Sequence, residues 1–139
     1  ITIQAQILDL IRELRDEVAT AVILLTHDMG VVAETADRIL VLYAGKIVEY
    51  GDVESVFQNA KHPYTQALLK SIPNIEVQEE KLNVISGVVP MLDAMPKGCR
   101  FAPRCEEAAE SCMDRCPGMY PVSDSLVSCF KYESGDGNE

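Results

Sequence analysis

An apolar run that ends abruptly in polar residues is the feature that most constrains the fold of this chain. Residues 21–25 read AVILL, and Thr26, His27 and Asp28 follow directly. Five consecutive apolar residues without alternation are typical of a strand buried on both faces, as in the parallel sheet of an α/β protein. Ligands of such sheets bind beyond the carboxyl ends of the strands, so His27 is a candidate site residue. By itself, a histidine in this position is more often a hydrogen-bonded structural residue.

Periodicity and turn residues predict the neighbouring elements. Apolar side chains recur at helical spacing over residues 3–18, which indicates an amphipathic helix. Asp28 is expected to cap a helix that reaches Ala36, because its carboxylate can accept a hydrogen bond from an unpaired amide. Downstream, the sequence predicts a hairpin of strands 39–43 and 47–50 with Gly45 at positive φ. It then predicts a helix from Asp52 to about Gln58 and a second helix starting at Pro63. A linker is expected over 73–80, and a strand or two within 81–96.

The stretch from residue 21 to 51 resembles the nucleotide-binding domain of ABC transporters, which is a P-loop ATPase. The similarity lies in the histidine after the apolar run, the short helix that follows, and the strand pair ADRILVLYAGKIVEYG at residues 36–51. In that family the histidine contacts the γ-phosphate of ATP. The resemblance therefore implies a catalytic and ATP-binding role for His27, with Mg²⁺ accompanying the nucleotide. A second string, HPYTQALLKSIP at residues 62–73, is typical of the ATPases of oligopeptide, dipeptide and nickel importers, which carry a C-terminal extension.

The chain contains no phosphate-binding loop of the form G-x-x-x-x-G-K-[ST], so no backbone nest for a triphosphate is expected. In the family that the chain resembles, this loop, the signature motif and the catalytic glutamate all precede the matching region. We therefore expect the chain to be the C-terminal piece of a longer ATPase, and to be inactive towards ATP by itself.

All five cysteines lie between residues 99 and 129. Without a visible secretion signal, this clustering favours thiols that act as metal ligands over disulfides. The spacings match neither a zinc ribbon nor the bacterial and plant ferredoxins. From spacing alone, zinc, an iron–sulfur cluster and unligated thiols all stay open.

The residues around the cysteines resemble the C-terminal motif of the peptide-importer ATPases. The string GCRFAPRC at residues 98–105 carries the first two cysteines of that motif. In several members of that family the four matching cysteines hold a [4Fe–4S] cluster. Cys116 departs from the family pattern, and it either replaces Cys112 or stays a free thiol. The ligands implied by the resemblance, with zinc as the alternative to the cluster, are Cys99, Cys105, Cys112 and Cys129.

Composition limits the remaining function classes. The 139 residues carry 12 basic and 22 acidic side chains, for a formal net charge of −10. A strongly acidic chain is not expected to bind nucleic acid or anionic lipid directly, because both require a basic surface. No apolar stretch approaches the length of a membrane span.

These observations predict an α/β fold: the C-terminal fragment of a P-loop ATPase core, followed by a helical arm and a cysteine-rich irregular extension. The expected divisions are the end of the nucleotide-binding core at 1–58, a helical arm and linker at 59–98, a metal-binding cap at 99–132 and a flexible tail at 133–139.

The function implied by the resemblance is to couple ATP hydrolysis to the import of oligopeptides or dipeptides across the cytoplasmic membrane. The implied partners are a second ATP-binding subunit, identical or paralogous, two membrane-spanning permease subunits and, indirectly, an extracellular or periplasmic solute-binding protein. The protein would lie at the cytoplasmic face of the cell membrane. Two alternatives stay open: a free-standing cysteine-rich metal-binding regulatory module, and an importer of nickel or another small solute.

Overall fold

The computed structural model describes residues 2–72 and 84–134 of the chain. These residues form two compact units, one up to Ala36 and one from Asp37 onwards. The first unit is helical, whereas the second is built around a sheet. Within the described ranges, no helix is both long enough and apolar enough to cross a membrane.

Two helices make up the first unit: α1 over Ile3–Val18 and α2 over Met29–Thr35. The Thr2 hydroxyl caps the start of α1, and Ala19 ends the helix in the left-handed conformation at a φ of 50°. The helix predicted over residues 3–18 is therefore confirmed. Its apolar stripe lies exposed, at Ile3, Ile7, Leu10 and Leu14.

The apolar run at residues 21–25 does not form the predicted strand. The structure describes all of these residues without assigning a strand to them, and Ile23 and Leu25 are 89% and 85% exposed. A strand inside a parallel sheet needs neighbours on both sides to pair its amide and carbonyl groups. In the described part of the chain no strand pairs with this run, so the prediction of a buried strand is wrong here.

Four strands form the sheet of the second unit. They are β1 (Arg38–Tyr43), β2 (Lys46–Asp52), β3 (Tyr120–Val122) and β4 (Ser125–Val127). Their order across the sheet is β1-β2-β4-β3, and every pair is antiparallel. The predicted mixture of helices and strands is confirmed. The described sheet, however, is antiparallel rather than parallel, because the turns that join β1 to β2 and β3 to β4 are too short for the crossover that a parallel pair needs.

A turn of two residues, Ala44 and Gly45, joins β1 to β2, so the connection is one residue shorter than the predicted one at 44–46. Ala44 and Gly45 both have positive φ, at 46° and 77°, which is the backbone of the tight turn that suits the twist of a hairpin. Glycine adopts this conformation without a steric cost, so the prediction for Gly45 is confirmed.

A β-bulge interrupts the pairing of this hairpin. Val41 lies opposite Glu49 and Leu42 opposite Ile47, so Val48 is an extra residue on β2. A bulge rotates the residues next to it out of strict alternation. As a result both Val48 and Glu49 are buried, although they are adjacent in sequence.

The remaining helices of the second unit are α3 (Val53–Asn59), α4 (Pro63–Lys70) and α5 (Glu110–Asp114). The helices predicted after Asp52 and from Pro63 are confirmed. Asp52 occupies the N-cap position of α3, but its side chain makes no capping hydrogen bond.

The strand predicted within residues 81–96 is absent from the part that the structure describes. Residues 84–96 contain a single 3₁₀ turn at Leu92–Ala94. Pro90 lacks the amide that a strand would pair, which weakens any ladder in this stretch. Residues 81–83 and the predicted linker at 73–80 lie outside the described residues.

The cysteine-rich segment is not wholly irregular, because β3 and β4 belong to it and extend the sheet of the hairpin. β4 pairs with β2 through Glu49–Val127 and Tyr50–Leu126. Pro121 lies in β3 at the edge of the sheet, where a missing amide leaves no partner unpaired. The segment is therefore anchored by backbone pairing to β2, whose paired residues precede their partners by 76 and 78 positions.

Aromatic rings join the sheet, α4 and the cysteine-rich segment. The Tyr43 ring centroid lies 4.7 Å from that of Tyr64 and 5.1 Å from that of Phe101, and the last two are 5.4 Å apart. Tilted and edge-on pairs at such distances are favourable beyond the area they bury. The buried aliphatic side chains of the second unit include Ile39, Val41, Val48, Val53, Val56, Val122 and Val127.

Candidate functional site

His27 lies at an exposed turn immediately before α2. Thr26 Oγ1 accepts the amide of Asp28 at 3.0 Å, and the Asp28 carboxylate accepts the amides of Gly30 and Val31 at 2.9 and 3.2 Å. The predicted N-cap at Asp28 is therefore confirmed. These bonds fix the backbone on both sides of His27 and leave the imidazole exposed, where a ligand can reach it. Its catalytic role stays a prediction.

Four of the five cysteines line one cavity of about 380 Å³ in the second unit. All four are partly buried free thiols, whereas Cys116 is exposed and lies outside the lining. The structure thus brings together the four cysteines named by the sequence motif and excludes the fifth. Their role as ligands stays a prediction. The four are Cys99, Cys105, Cys112 and Cys129.

Three of these sulfur atoms accept backbone amides from residues just after them. The backbone amides of Phe101 and Ala102 are directed at the sulfur of Cys99. The backbone amide of residue 107 is directed at the sulfur of Cys105, and that of residue 131 at the sulfur of Cys129. Burial raises the pKa of these three thiols, the amide hydrogen bonds oppose that shift, and neighbouring cysteines raise the pKa further. Amides aimed at sulfur stabilise thiolates, and a cationic group between them would remove their mutual repulsion.

The arrangement of the thiols bears on what they can hold. Four Zn–S bonds of about 2.3 Å bring the sulfur atoms to roughly 3.8 Å from one another. Among the described residues, no three Cys, His, Asp or Glu side chains are arranged to hold a metal ion. A [4Fe–4S] core is larger, since it spreads four thiolates over four irons.

A buried glutamate and histidine hold one wall of this cavity. Glu49 is fully buried, and its carboxylate accepts the amides of Lys61 and His62 at 2.8 and 3.0 Å. His62 Nδ1 accepts the amide of Tyr64 at 3.0 Å, which caps α4. Burial lowers the pKa of His62 to about 4, although a hydrogen bond to the backbone of Ser128 partly opposes this shift. His62 is therefore neutral at pH 7 and connects α4 to the residue before Cys129.

The sequence did not predict the burial of Glu49, because a single charged residue in a strand is usually exposed. The apolar residues around it in β2 were the one clue to its burial, and that clue is weak for an isolated glutamate. The His62 side chain caps α4 and also lines the cavity.

Arg100 and Arg104 bind elements outside the cavity. Arg100 donates to the Ala44 carbonyl in the hairpin turn, and Arg104 donates to the carbonyls of residues 85 and 86 at 3.0 and 2.9 Å. The Arg104 guanidinium also lies 5.9 Å from the Tyr43 ring centroid. Both arginines therefore fasten the cysteine-rich segment to the hairpin and to the preceding segment.

Known proteins resemble this chain over nearly its whole length. Residues 48–112 match the family described as the C-terminal region of the oligopeptide/dipeptide transporter. The oligopeptide transport ATP-binding protein AppD of Bacillus subtilis is 47% identical over 134 residues, which cover 96% of this chain and 41% of AppD. A putative peptide import ATP-binding protein of Brucella ovis is 48% identical over 140 residues, with the same two coverages. The chain thus spans about two fifths of the length of these relatives.

Proposed function

We propose that the protein containing this chain couples ATP hydrolysis to peptide uptake. The basis is the match of the sequence to the C-terminal part of the ATP-binding subunits of peptide ABC importers. The match confirms the family resemblance seen in the sequence. The observation that carries the proposal is the 47–48% identity over 96% of the chain to proteins of oligopeptide transport and peptide import. A free-standing metal-binding module is not favoured, because the match includes the residues before the cysteines as well as the cysteines.

The proposed partners follow from this assignment. The whole protein would pair with a second ATP-binding subunit and act on two permease subunits at the cytoplasmic face of the membrane, with a solute-binding protein delivering the cargo. Oligopeptides or dipeptides are the proposed cargo.

Within this protein, His27 would contact the γ-phosphate of ATP bound with Mg²⁺ and orient the attacking water. Phosphoryl transfer depends on positioning and charge stabilisation rather than on a covalent intermediate. The bonds from Thr26 and Asp28 support this role, since they hold the backbone of His27 in a defined turn. An imidazole that acts mainly in the transition state affects turnover more than nucleotide affinity.

This proposal is tested in the complete transporter that contains the chain. His27→Ala should lower ATP turnover by at least about 100-fold while changing ATP affinity only a few-fold, as expected for a transition-state contact. Glu34→Ala, an exposed substitution on the helix that His27 precedes, is the matched control and should keep normal turnover. Normal turnover in His27→Ala would remove this histidine from the catalytic site. Absence of any peptide-stimulated ATPase activity in the wild type would refute the transport function itself.

For the second unit we propose that residues 59–98 form the helical arm and linker of the extension, and that residues 99–132 form a cap around a [4Fe–4S] cluster. Four thiols lining one cavity, with amides directed at three of them, support this proposal. When bound, such a cluster supplies four iron–thiolate bonds and thereby cross-links a short segment with little apolar core. Cys99, Cys105, Cys112 and Cys129 would hold it.

Metal analysis after anaerobic purification tests this cap. The chain should contain about four irons and four labile sulfides, which is the stoichiometry of one such cluster. Serine at any one of the four cavity cysteines should remove most of the iron, whereas Cys116→Ser should retain it. One zinc per chain without iron would replace the cluster by a zinc site. Loss of iron in Cys116→Ser but not in Cys112→Ser would show that the ligand set is wrong.

A further inference from the structure

Cys116 differs from the other four cysteines in its surroundings. It is exposed, whereas they are partly buried, and it does not line their cavity. Its thiol lies 3.2 Å from the carbonyl oxygen of Gly98 and 3.4 Å from that of Lys97, so it donates its hydrogen to this turn. These contacts place an accessible thiol beside the residue that directly precedes Cys99.

The backbone holds the two segments together at this point. The amide of Cys99 donates to the carbonyl of Cys112 at 2.8 Å. Gly98 packs so closely that a Cβ there would lie 2.3 Å from the same carbonyl oxygen and 2.7 Å from the backbone of Met113. Residues 97–99 and 112–116 are therefore in direct contact, and the position of Cys116 relative to Cys99 is fixed by several contacts.

An upper bound on the separation of the pair follows from peptide geometry. The carbonyl oxygen of one residue and the Cα of the next are about 2.8 Å apart across a planar trans peptide. Since Cys116 Sγ is 3.2 Å from the Gly98 oxygen, it lies at most about 6 Å from Cys99 Cα. A disulfide needs Cβ atoms about 3.8 Å apart. Side-chain rotation moves the two sulfur atoms but leaves the Cβ atoms in place, so bond formation also requires the backbone of the two segments to hold the Cβ atoms at this separation. Burial is the main cause that raises the pKa of Cys99, and the neighbouring Cys112 and Cys116 raise it further. The contribution of Cys116 agrees with its proximity to Cys99.

We propose that Cys116 and Cys99 form a redox pair that closes a disulfide when the cavity holds no cluster. The oxidant is a peroxide. The Cys116 thiolate attacks one peroxide oxygen, the O–O bond breaks, and Cys116 becomes a sulfenic acid with release of water. The Cys99 thiolate then attacks that sulfur, the S–O bond breaks, and hydroxide leaves and takes up a proton. In total two thiols and one hydrogen peroxide give one disulfide and two waters.

The consequence for the cap rests on the proposed cluster site. Cys99 is one of the four proposed ligands, so its disulfide with Cys116 would leave three thiols at the cavity. Cluster binding and disulfide formation would then exclude each other, and a reductant of disulfides would be needed before a cluster is assembled. Cys116, which the ligand motif does not use, gains a role as the residue that attacks first.

Disulfide mapping of the complete 139-residue chain tests the pair. The reduced, metal-free chain is treated with one equivalent of hydrogen peroxide, its remaining thiols are blocked, and the disulfides are assigned by fragmentation of tryptic peptides. We expect Cys99–Cys116 as the main disulfide. Cys116→Ser should lower the fraction of Cys99 in any disulfide at least about 10-fold, while Cys112→Ser, the matched control, should retain the Cys99–Cys116 bond.

The results that would overturn the proposal are a main disulfide between Cys99 and Cys112, or oxidation of Cys116 to sulfinic acid with Cys99 left reduced. Iron and sulfide reconstitution of the oxidised chain gives a second, separate readout. Cluster uptake should require prior reduction in the wild type but not in Cys116→Ser, and equal uptake by oxidised and reduced wild type contradicts the exclusion. If no form takes up iron, the cluster proposal fails, but the disulfide map still decides the redox pair.

Discussion

Replacing Glu49 by glutamine should lower the free energy of unfolding of the second unit by about 3 kcal/mol. The fully buried carboxylate accepts the amides of Lys61 and His62, which start the turn into α4. Glutamine has nearly the same shape but offers one oxygen and one NH₂ group. One of the two backbone amides would therefore face another donor instead of an acceptor.

The magnitude follows from the two bonds. A hydrogen bond to a charged group contributes about 1.5–3 kcal/mol, and a buried donor left without an acceptor costs about 1–3 kcal/mol. Glutamine retains one bond in neutral form and loses the other, which gives a total of about 2–4 kcal/mol. With a urea m-value of about 2 kcal/mol/M, the midpoint of unfolding should fall by roughly 1.5 M.

The chain offers a probe that is specific for this unit. It has five tyrosines and no tryptophan, and all five tyrosines follow residue 37. Urea unfolding followed by near-ultraviolet circular dichroism of tyrosine therefore reports on the second unit alone. Glu54→Gln, an exposed substitution on α3, is the matched control and should change the free energy by less than about 0.5 kcal/mol. Equal midpoints for Glu49→Gln and Glu54→Gln would refute the view that this carboxylate holds the turn.

Three further predictions concern the same unit and use the same unfolding assay. Burial lowers the pKa of His62 from 6.5 to about 4, so stability is complete above pH 6.5 and is lost as the pH falls towards 4. Protonation of His62 should therefore lower the free energy of unfolding of the wild type by about 2 kcal/mol between pH 7 and pH 5. In His62→Asn, which can still cap α4, this loss should be absent, and an unchanged pH dependence would contradict the prediction. Thr65 Oγ1 is buried without a hydrogen-bond partner in the described structure, so Thr65→Val should raise stability by about 1 kcal/mol, and a loss would show that the hydroxyl is paired. Gly98→Ala places a Cβ 2.3 Å from the Cys112 oxygen and should cost about 2 kcal/mol or more, whereas Gly118→Ala, with its nearest atom at 3.6 Å, should cost less than about 1 kcal/mol.

Local features of the fold could be predicted from the sequence. The bounds of α1 follow from apolar spacing, the start of α2 from Asp28, and the hairpin turn from Gly45. Each depends on interactions within a few residues, which the sequence displays directly. The family motif likewise named the four cysteines that line one cavity.

Features that depend on distant residues could not be predicted. The run at 21–25 has the composition of a buried strand, but a strand exists only where another chain segment pairs with it, and the described residues provide none there. Strands β3 and β4 have three residues each, and one contains a proline, so their pattern is too short to identify. They form because β2 presents a free edge to β4.

The sequence by itself determined the local elements, the acidic character and the set of cysteines. Only the tertiary structure decided that a bulge at Val48 buries Glu49, that Glu49 and His62 support the cavity wall, and that Cys116 lies outside the cavity beside Cys99. The physical reason is that burial and proximity depend on which surfaces meet after the chain folds back on itself. Residue type and spacing describe only the local structure that each segment can form before the chain folds.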